Sequence, residues 1–476
     1  MQENSVRGCG PRRRDATRRG PHQRKRVLLQ MFLASLVLLI SLIPAPARQR
    51  RQRRTPPVRE SGASAAQRET VAALLRDALE LLRADKFAEA EPLVRRAVKE
   101  QPSNADARGL LGLILDRGGK LKEAEREYRE ALRLNPRSVA ARANLGVLLA
   151  RAGRHAEALR LFESVLADAP GHPQATLNLG AALFYLRRFD EAERALVAAS
   201  GLLPGAAEPH YYLGQIALLR GRSEEAAGHW LRALAIRENF PEANFALAEE
   251  LRRQRRYEGA AEFYARALAQ DASKPVYHIR LGGVLMLLVR YEEALAVFRR
   301  AAAEFPESVE AHYFVGVAAR GRGDYEAAEA SLRKSLSLSP DSVDALAQLG
   351  FVVGERGRLE EAERTLRRAV SLDRRHFYAH YDLGRLLVKE HRYEEAIPVL
   401  QRGAGLRARD PGVRYQLFIA YSRLKRKDEA ERELAIFKRL EEERKARRGE
   451  GGEEQVEDAL PQPSAEPTTT PEGKTE

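Results

Sequence analysis

The chain has 476 residues, 44% of them apolar and 31% charged, which is enough for several buried cores and ordinary for a helix-rich soluble protein. Its net charge of +14 sits mostly at one end: residues 1–59 hold fifteen Lys or Arg against Glu3 and Asp15, and residues 449–476 hold eight acids against Lys474, so the long middle is only weakly basic. The single cysteine, Cys9, excludes an intramolecular disulfide framework and a thiolate-rich metal cluster, and no small-residue lipobox precedes it.

In chain order, residues 1–26 are a basic, disordered region with nine Lys or Arg. Residues Val27 to Ile43 then run for seventeen residues without a charge, followed by "PAPA" and "RQRRQRR". That length lies between a signal-peptide core and a membrane span, so residues 27–47 read as either a signal peptide or a membrane anchor. The pattern Ala45-Pro46-Ala47 offers cleavage before Arg48, whereas the arginines after it oppose translocation. A buried core helix fits less well, because a helix apolar on every side needs partners all round. Met31 is an alternative start that would remove most of the charge ahead of the apolar run. Residues 48–66 form a basic linker.

From residue 71 the chain repeats with a period of 34, in units starting at Val71, Ala105, Val139, Pro173, Ala207, Pro241, Pro275, Val309, Val343, Phe377 and Pro411. The twentieth place is alanine in all eleven, from Ala90 to Ala430, and the eighth is glycine in eight, with Ala78, Ala248 and Phe418 in the others. Small residues there let one helix in each half of a unit approach the other closely. A large side chain at the twenty-fourth place (Tyr128, Phe162, Leu196, Trp230, Tyr264, Phe298) fills the adjoining gap. Proline at the thirty-second place in six units ends the second helix. Its absence at Glu238, Ala272, Arg374 and Ala408 predicts looser joints after the fifth, sixth, ninth and tenth units.

This pattern resembles the tetratricopeptide repeat family over residues 71–444. The resemblance implies an all-α fold: eleven antiparallel helix pairs stacked into a right-handed superhelical solenoid, with first helices lining a concave groove. The array is expected over residues 67–448, including an extended C-terminal capping helix, and residues 449–476 form an acidic, disordered tail.

Catalysis is not expected, because no glycine-rich phosphate loop, nucleophile elbow or cysteine pair appears. Histidines recur at the fourth place (His210, His278, His312, His380), but units stack roughly 10 Å apart, too far for them to share one metal ion. His376 and His380 stand four apart without the glutamate of a zinc-protease helix. Neither a metal nor a cofactor is expected.

Binding to other proteins is the remaining activity. The resemblance directs the second, fifth, sixth, ninth, twelfth and thirteenth places toward the groove. Rings at the fifth place, Tyr211, Phe245, Tyr313, Tyr381 and Tyr415, are either peptide anchors or fillers between neighbouring helices. Asn144 and Asn178 at the sixth place resemble the asparagine ladder with which some members hold a peptide backbone. Arg117, Arg151, Arg252, Arg253, Arg385 and Arg423 would favour acidic segments. No fifth place is lysine and no ninth is asparagine, which disfavours the family's chaperone-docking specialisation. The expected function is a non-enzymatic scaffold of the bacterial cell envelope, exported to the periplasm or anchored in the inner membrane through residues 27–43, that holds extended or acidic protein segments. An accessory subunit docking an enzyme or export machinery is the alternative. Nucleic-acid association through the basic N-terminus and Arg252, Arg253, Arg255 and Arg256 fits the charge distribution less well.

Overall fold

The computed structural model describes residues 65–449, all of whose regular structure is helical. The basic N-terminal region, the apolar segment 27–47, most of the linker and the acidic tail lie outside the described residues, and no described helix is long and apolar enough to cross a membrane. Twenty-two helices pair in sequence and group into two compact bodies, one ending at Glu238 and the other beginning at Asn239.

The N-terminal body holds α1 (Ala65–Arg83), α2 (Phe87–Glu100), α3 (Ala105–Arg117), α4 (Leu121–Leu134), α5 (Val139–Arg151), α6 (His155–Asp168), α7 (Pro173–Tyr185), α8 (Phe189–Leu202), α9 (Glu208–Leu219) and α10 (Ser223–Ile236). The C-terminal body holds α11 (Pro241–Arg253), α12 (Tyr257–Gln270), α13 (Pro275–Leu287), α14 (Tyr291–Glu304), α15 (Val309–Arg322), α16 (Tyr325–Leu338), α17 (Val343–Glu355), α18 (Leu359–Leu372), α19 (Phe377–Lys389), α20 (Tyr393–Leu406), α21 (Pro411–Arg423) and α22 (Lys427–Gly449). Odd-numbered helices are therefore the first of each repeat and even-numbered ones the second. Within each body every helix packs on its pair-mate and each pair on the next, and in the N-terminal body one apolar cluster runs from Ala78 to Ile216.

Local chemistry sets these boundaries. The thirty-fourth place is the N-cap of the next first helix, and Asn104, Ser138, Ser308, Ser342 and Asp410 each accept there from the backbone N–H three residues on. His172 and His376 do the same through Nδ1, which puts their ring proton on Nε2. The turn inside each pair puts its fifteenth-place residue in the left-handed region, as glycine in five repeats and as Asp85, Arg187, Arg255, Val289, His391 and Lys425 in the others.

Glycine at the eighth place is required by the large side chain it faces. A Cβ on Gly146 would lie 2.6 Å from Phe162, one on Gly112 2.7 Å from Tyr128, and one on Gly350 2.5 Å from Leu366. The twenty-fourth-place side chain therefore occupies the volume that the glycine lacks. The alanines at the twentieth place are buried in every repeat. The sixth repeat carries Ala248 where others have glycine, and Tyr264 still packs fully buried beside it, with its hydroxyl on Glu249.

The second helices that precede the joints without proline end as the others do. α10, α12, α18 and α20 all end at the thirtieth place, as α4 does, each closed by the next N–H on the carbonyl four residues back. At two of them an aspartate turn stands in for proline: Asp271 Oδ1 accepts from Ser273 N at 3.0 Å, and Asp373 Oδ1 from Arg375 N at 2.7 Å. Such turns set the chain direction through the side chain, a restraint on these two joints that does not depend on proline.

Candidate protein-binding face

The second, sixth, ninth and thirteenth places follow i, i+4, i+7, i+11 and form one stripe along each first helix. In the N-terminal body α5 lies against α7 and α7 against α9, which sets three such stripes side by side. They read Ala140, Asn144, Val147, Arg151, then Gln174, Asn178, Ala181, Tyr185, then Glu208, Tyr212, Gln215, Leu219. All twelve are half-buried or exposed. Only Arg151 and Glu208 are charged, and each is spent within the chain, on Asp116 at 3.0 Å and on Arg237 at 2.6 Å. Asn178 accepts from Gln174 Nε2 at 3.2 Å, and both Asn178 and Asn144 are half-exposed.

At one edge of this face stands an aromatic cluster. Tyr185 is 54% exposed, stacks on His155 with ring centroids 4.5 Å apart, and meets Phe184 and Tyr212 edge-on at 5.5 and 6.2 Å. Leu219, 57% exposed, extends the apolar surface on α9. The sequence reading singled out none of these four apolar residues. Their places were in its groove set, but the search for rings followed the fifth place, where the periodicity was most regular.

Fifth-place rings lie elsewhere. Phe245 stacks on Tyr277 of the next first helix at 4.8 Å, Tyr381 stacks on Phe377 at 5.8 Å, and Tyr313 is 7% exposed with its hydroxyl buried and without a partner. Tyr211 packs edge-on against Tyr212 at 5.3 Å and accepts, through its carbonyl, from the Trp230 indole at 3.3 Å. Only Tyr415 is openly displayed, at 42%, against Phe418 and Phe437. The run of rings is chiefly packing within and between the helices of the array.

The arginines are spent in the same way. Arg117 lies over the Phe87 ring at 5.9 Å, Arg151 holds Asp116, Arg252 reaches Glu249 at 3.4 Å, Arg253 pairs with Glu250, and Arg385 pairs with Glu355 at 3.0 Å. Arg423 alone of the six is exposed without an ion pair to the described residues. In the C-terminal body such pairs tie neighbouring first helices, as with Glu249 and Arg280 at 2.9 Å. Arg320 and Arg385 lie over the Phe351 ring at 3.9 and 4.5 Å beside the buried Asp382, whose carboxyl burial pushes up to about 6 against their pull.

The recurring fourth-place histidines belong to a third set of contacts. Arg108 and Arg414 at that place pair with Glu127 and Glu433 on their own second helices, at 2.9 and 3.1 Å. His312 and His380 place Nε2 on the carbonyls of Pro306 and Arg374, at 2.9 and 3.1 Å. His278 is fully buried and faces Glu304 at 3.7 Å. The fourth place is thus a polar clasp that ties the first helix to its pair-mate or to the preceding joint.

Among the described residues no three His, Cys, Asp or Glu converge as a metal site. A shallow concavity on the outer side of α4 is lined by arginines and glutamates such as Arg126, Glu130 and Arg133, with no nucleophile beside them.

Residues 75–128, 116–173 and 177–241 match a tetratricopeptide repeat model, and residues 149–201 match a second one. Residues 232–459 match the model of the cilia and flagella-associated protein 70 C-terminal domain. No curated protein matches the chain. Similar solved structures include the Cut9–Hcn1 hetero-tetramer of APC/C (13% identity, 78% of this chain and 93% of that one, TM-score 0.42). Others are MamA from Desulfovibrio magneticus RS-1 (24%, 35% and 95%, 0.33) and yeast Tom70 (15%, 80% and 97%, 0.34).

Proposed function

The chain belongs to the tetratricopeptide repeat family, and from that premise we propose that it is a non-enzymatic scaffold, exported or membrane-anchored through residues 27–47, that holds extended segments of other proteins on the face of α5, α7 and α9. Repeat arrays of this family are generally non-catalytic and bind other proteins.

The observation that carries the reading is the chemistry of that face. Its two charges are already paired, so a ligand need not strip water from a free ion to settle there. Asn144 and Asn178 can each donate to and accept from a peptide group, and Tyr185 and Leu219 supply exposed contact area. Neutral extended segments fit this surface better than acidic ones, because most of the arginines that would attract acids serve the array itself.

A photo-crosslinking residue at Asn178 of the full-length chain, in its native host, identifies the occupant. The affinity of that protein should then fall at least tenfold when Tyr185→Ala or Asn144→Ala is introduced. Unchanged affinity in both variants would sink the assignment of this face. Export is tested separately by fractionation and N-terminal sequencing: a start near Arg48 in the soluble envelope fraction means secretion, and an intact N-terminus in the membrane pellet means anchoring. An intact chain in the cytosolic fraction would overturn both.

A further inference from the structure

In the fifth repeat the clasp between first and second helix is built differently. Where Arg108 meets Glu127 and Arg414 meets Glu433, this repeat sets His210 on α9 against His229 on α10. Their Nδ1 atoms face each other 3.4 Å apart, and the rings are inclined by 26°. On its other nitrogen His229 faces Glu225 Oε1 at 3.8 Å.

Two imidazoles that face each other through Nδ1 have little between them to hold the contact. One can donate to the other, but 3.4 Å is long for such a bond, and the arrangement leaves two lone pairs opposed whenever both protons sit on Nε2. A metal ion resolves the conflict. With metal–nitrogen distances of about 2.0–2.1 Å, two nitrogens held about 3.4 Å apart subtend close to a tetrahedral angle at the metal. The observed spacing needs no rearrangement.

We propose that His210 and His229 are a two-histidine site for a divalent transition-metal ion of the imidazole-preferring kind, with water completing its coordination, that clamps α9 to α10. Glu225 stands on the side from which a carboxylate commonly backs a ligating histidine, 3.8 Å from His229 Nε2 and itself paired with Arg222. Arg232 works against the cation, and two protein ligands bind less tightly than the four of a structural zinc site. The ion is an added clamp on an already folded pair, since Ala226 and Trp230 of α10 are fully buried without it. The sequence reading considered fourth-place histidines only against one another, across repeats; the partner lies nineteen residues on, within the same repeat.

Zn2+ alone is the probe, on the full-length chain, read by equilibrium dialysis and by thermal unfolding with and without the ion. The decisive variant is His210→Arg with His229→Glu, which rebuilds the ion pair of the second and eleventh repeats and so preserves the helix pair. Wild type is expected to take up one more equivalent of Zn2+ than this swap and to gain a rise in Tm that the swap lacks. His229→Gln should weaken the same site at least tenfold, and it carries the comparison if the swap does not fold. Equal uptake and equal Tm change in wild type and variant would overturn the site, because the other histidines are common to both.

Discussion

A valine held at a φ of 59° on an exposed turn carries a cost that glycine at the same place of five other repeats does not. Val289→Gly should therefore raise stability, by up to about 1 kcal/mol once the extra freedom of glycine in the unfolded chain is subtracted, as read from the urea midpoint. A fall in midpoint would mean that Val289 makes a contact worth more than its strain. Asp382 gives a second test. Its carboxyl titrates near 6 in the fold and near 3.8 when unfolded, so between those values the native state keeps a proton that the unfolded chain has lost. This group makes stability fall as pH rises through that window. Asp382→Asn should gain on wild type by about 1–3 kcal/mol between pH 4 and pH 7. An equal difference at both pH values would place the titration elsewhere. Neither residue was legible beforehand. Nothing in the sequence marks Val289 as left-handed except its count of fifteen from the start of the repeat, and Asp382 is buried only because neighbouring first helices close over it.

At the scale of the helix pair, sequence and structure agree most closely. Alanine at the twentieth place and glycine at the eighth were readable as a close approach, and the distances from Gly146 to Phe162 and from Gly112 to Tyr128 give that approach its reason. Ala260, fully buried in the sixth repeat, is the place to test it: Ala260→Leu should cost about 1–3 kcal/mol in chemical unfolding through overpacking. A parent-like unfolding curve would mean that the pair has room to spare. At two of the joints without proline the sequence reading passed over a second restraint on chain direction. Asp271 and Asp373 restrain it through a side-chain hydrogen bond, and their turn role was equally available from the sequence.

For the whole molecule, the high isoelectric point is a poor guide to behaviour, since the arginines of the array are largely matched by neighbouring acids and the excess lies in the first 59 residues. Binding on the neutral face should accordingly change less than about twofold between 50 and 300 mM salt, whereas an acidic or nucleic-acid ligand would lose affinity steeply. Titration of the crosslinked partner at both salt levels decides between them. The existence of the binding face was legible only as a family property. Its location was not, because exposure of Tyr185 and pairing of Arg151 are properties of three adjacent helices rather than of one repeat. The common boundaries of the helix pairs have one more consequence. A gene that gains or loses thirty-four codons between two joints of the N-terminal body brings the same turn and the same glycine contact to the new seam, so the number of repeats can change by recombination with the helix boundaries kept.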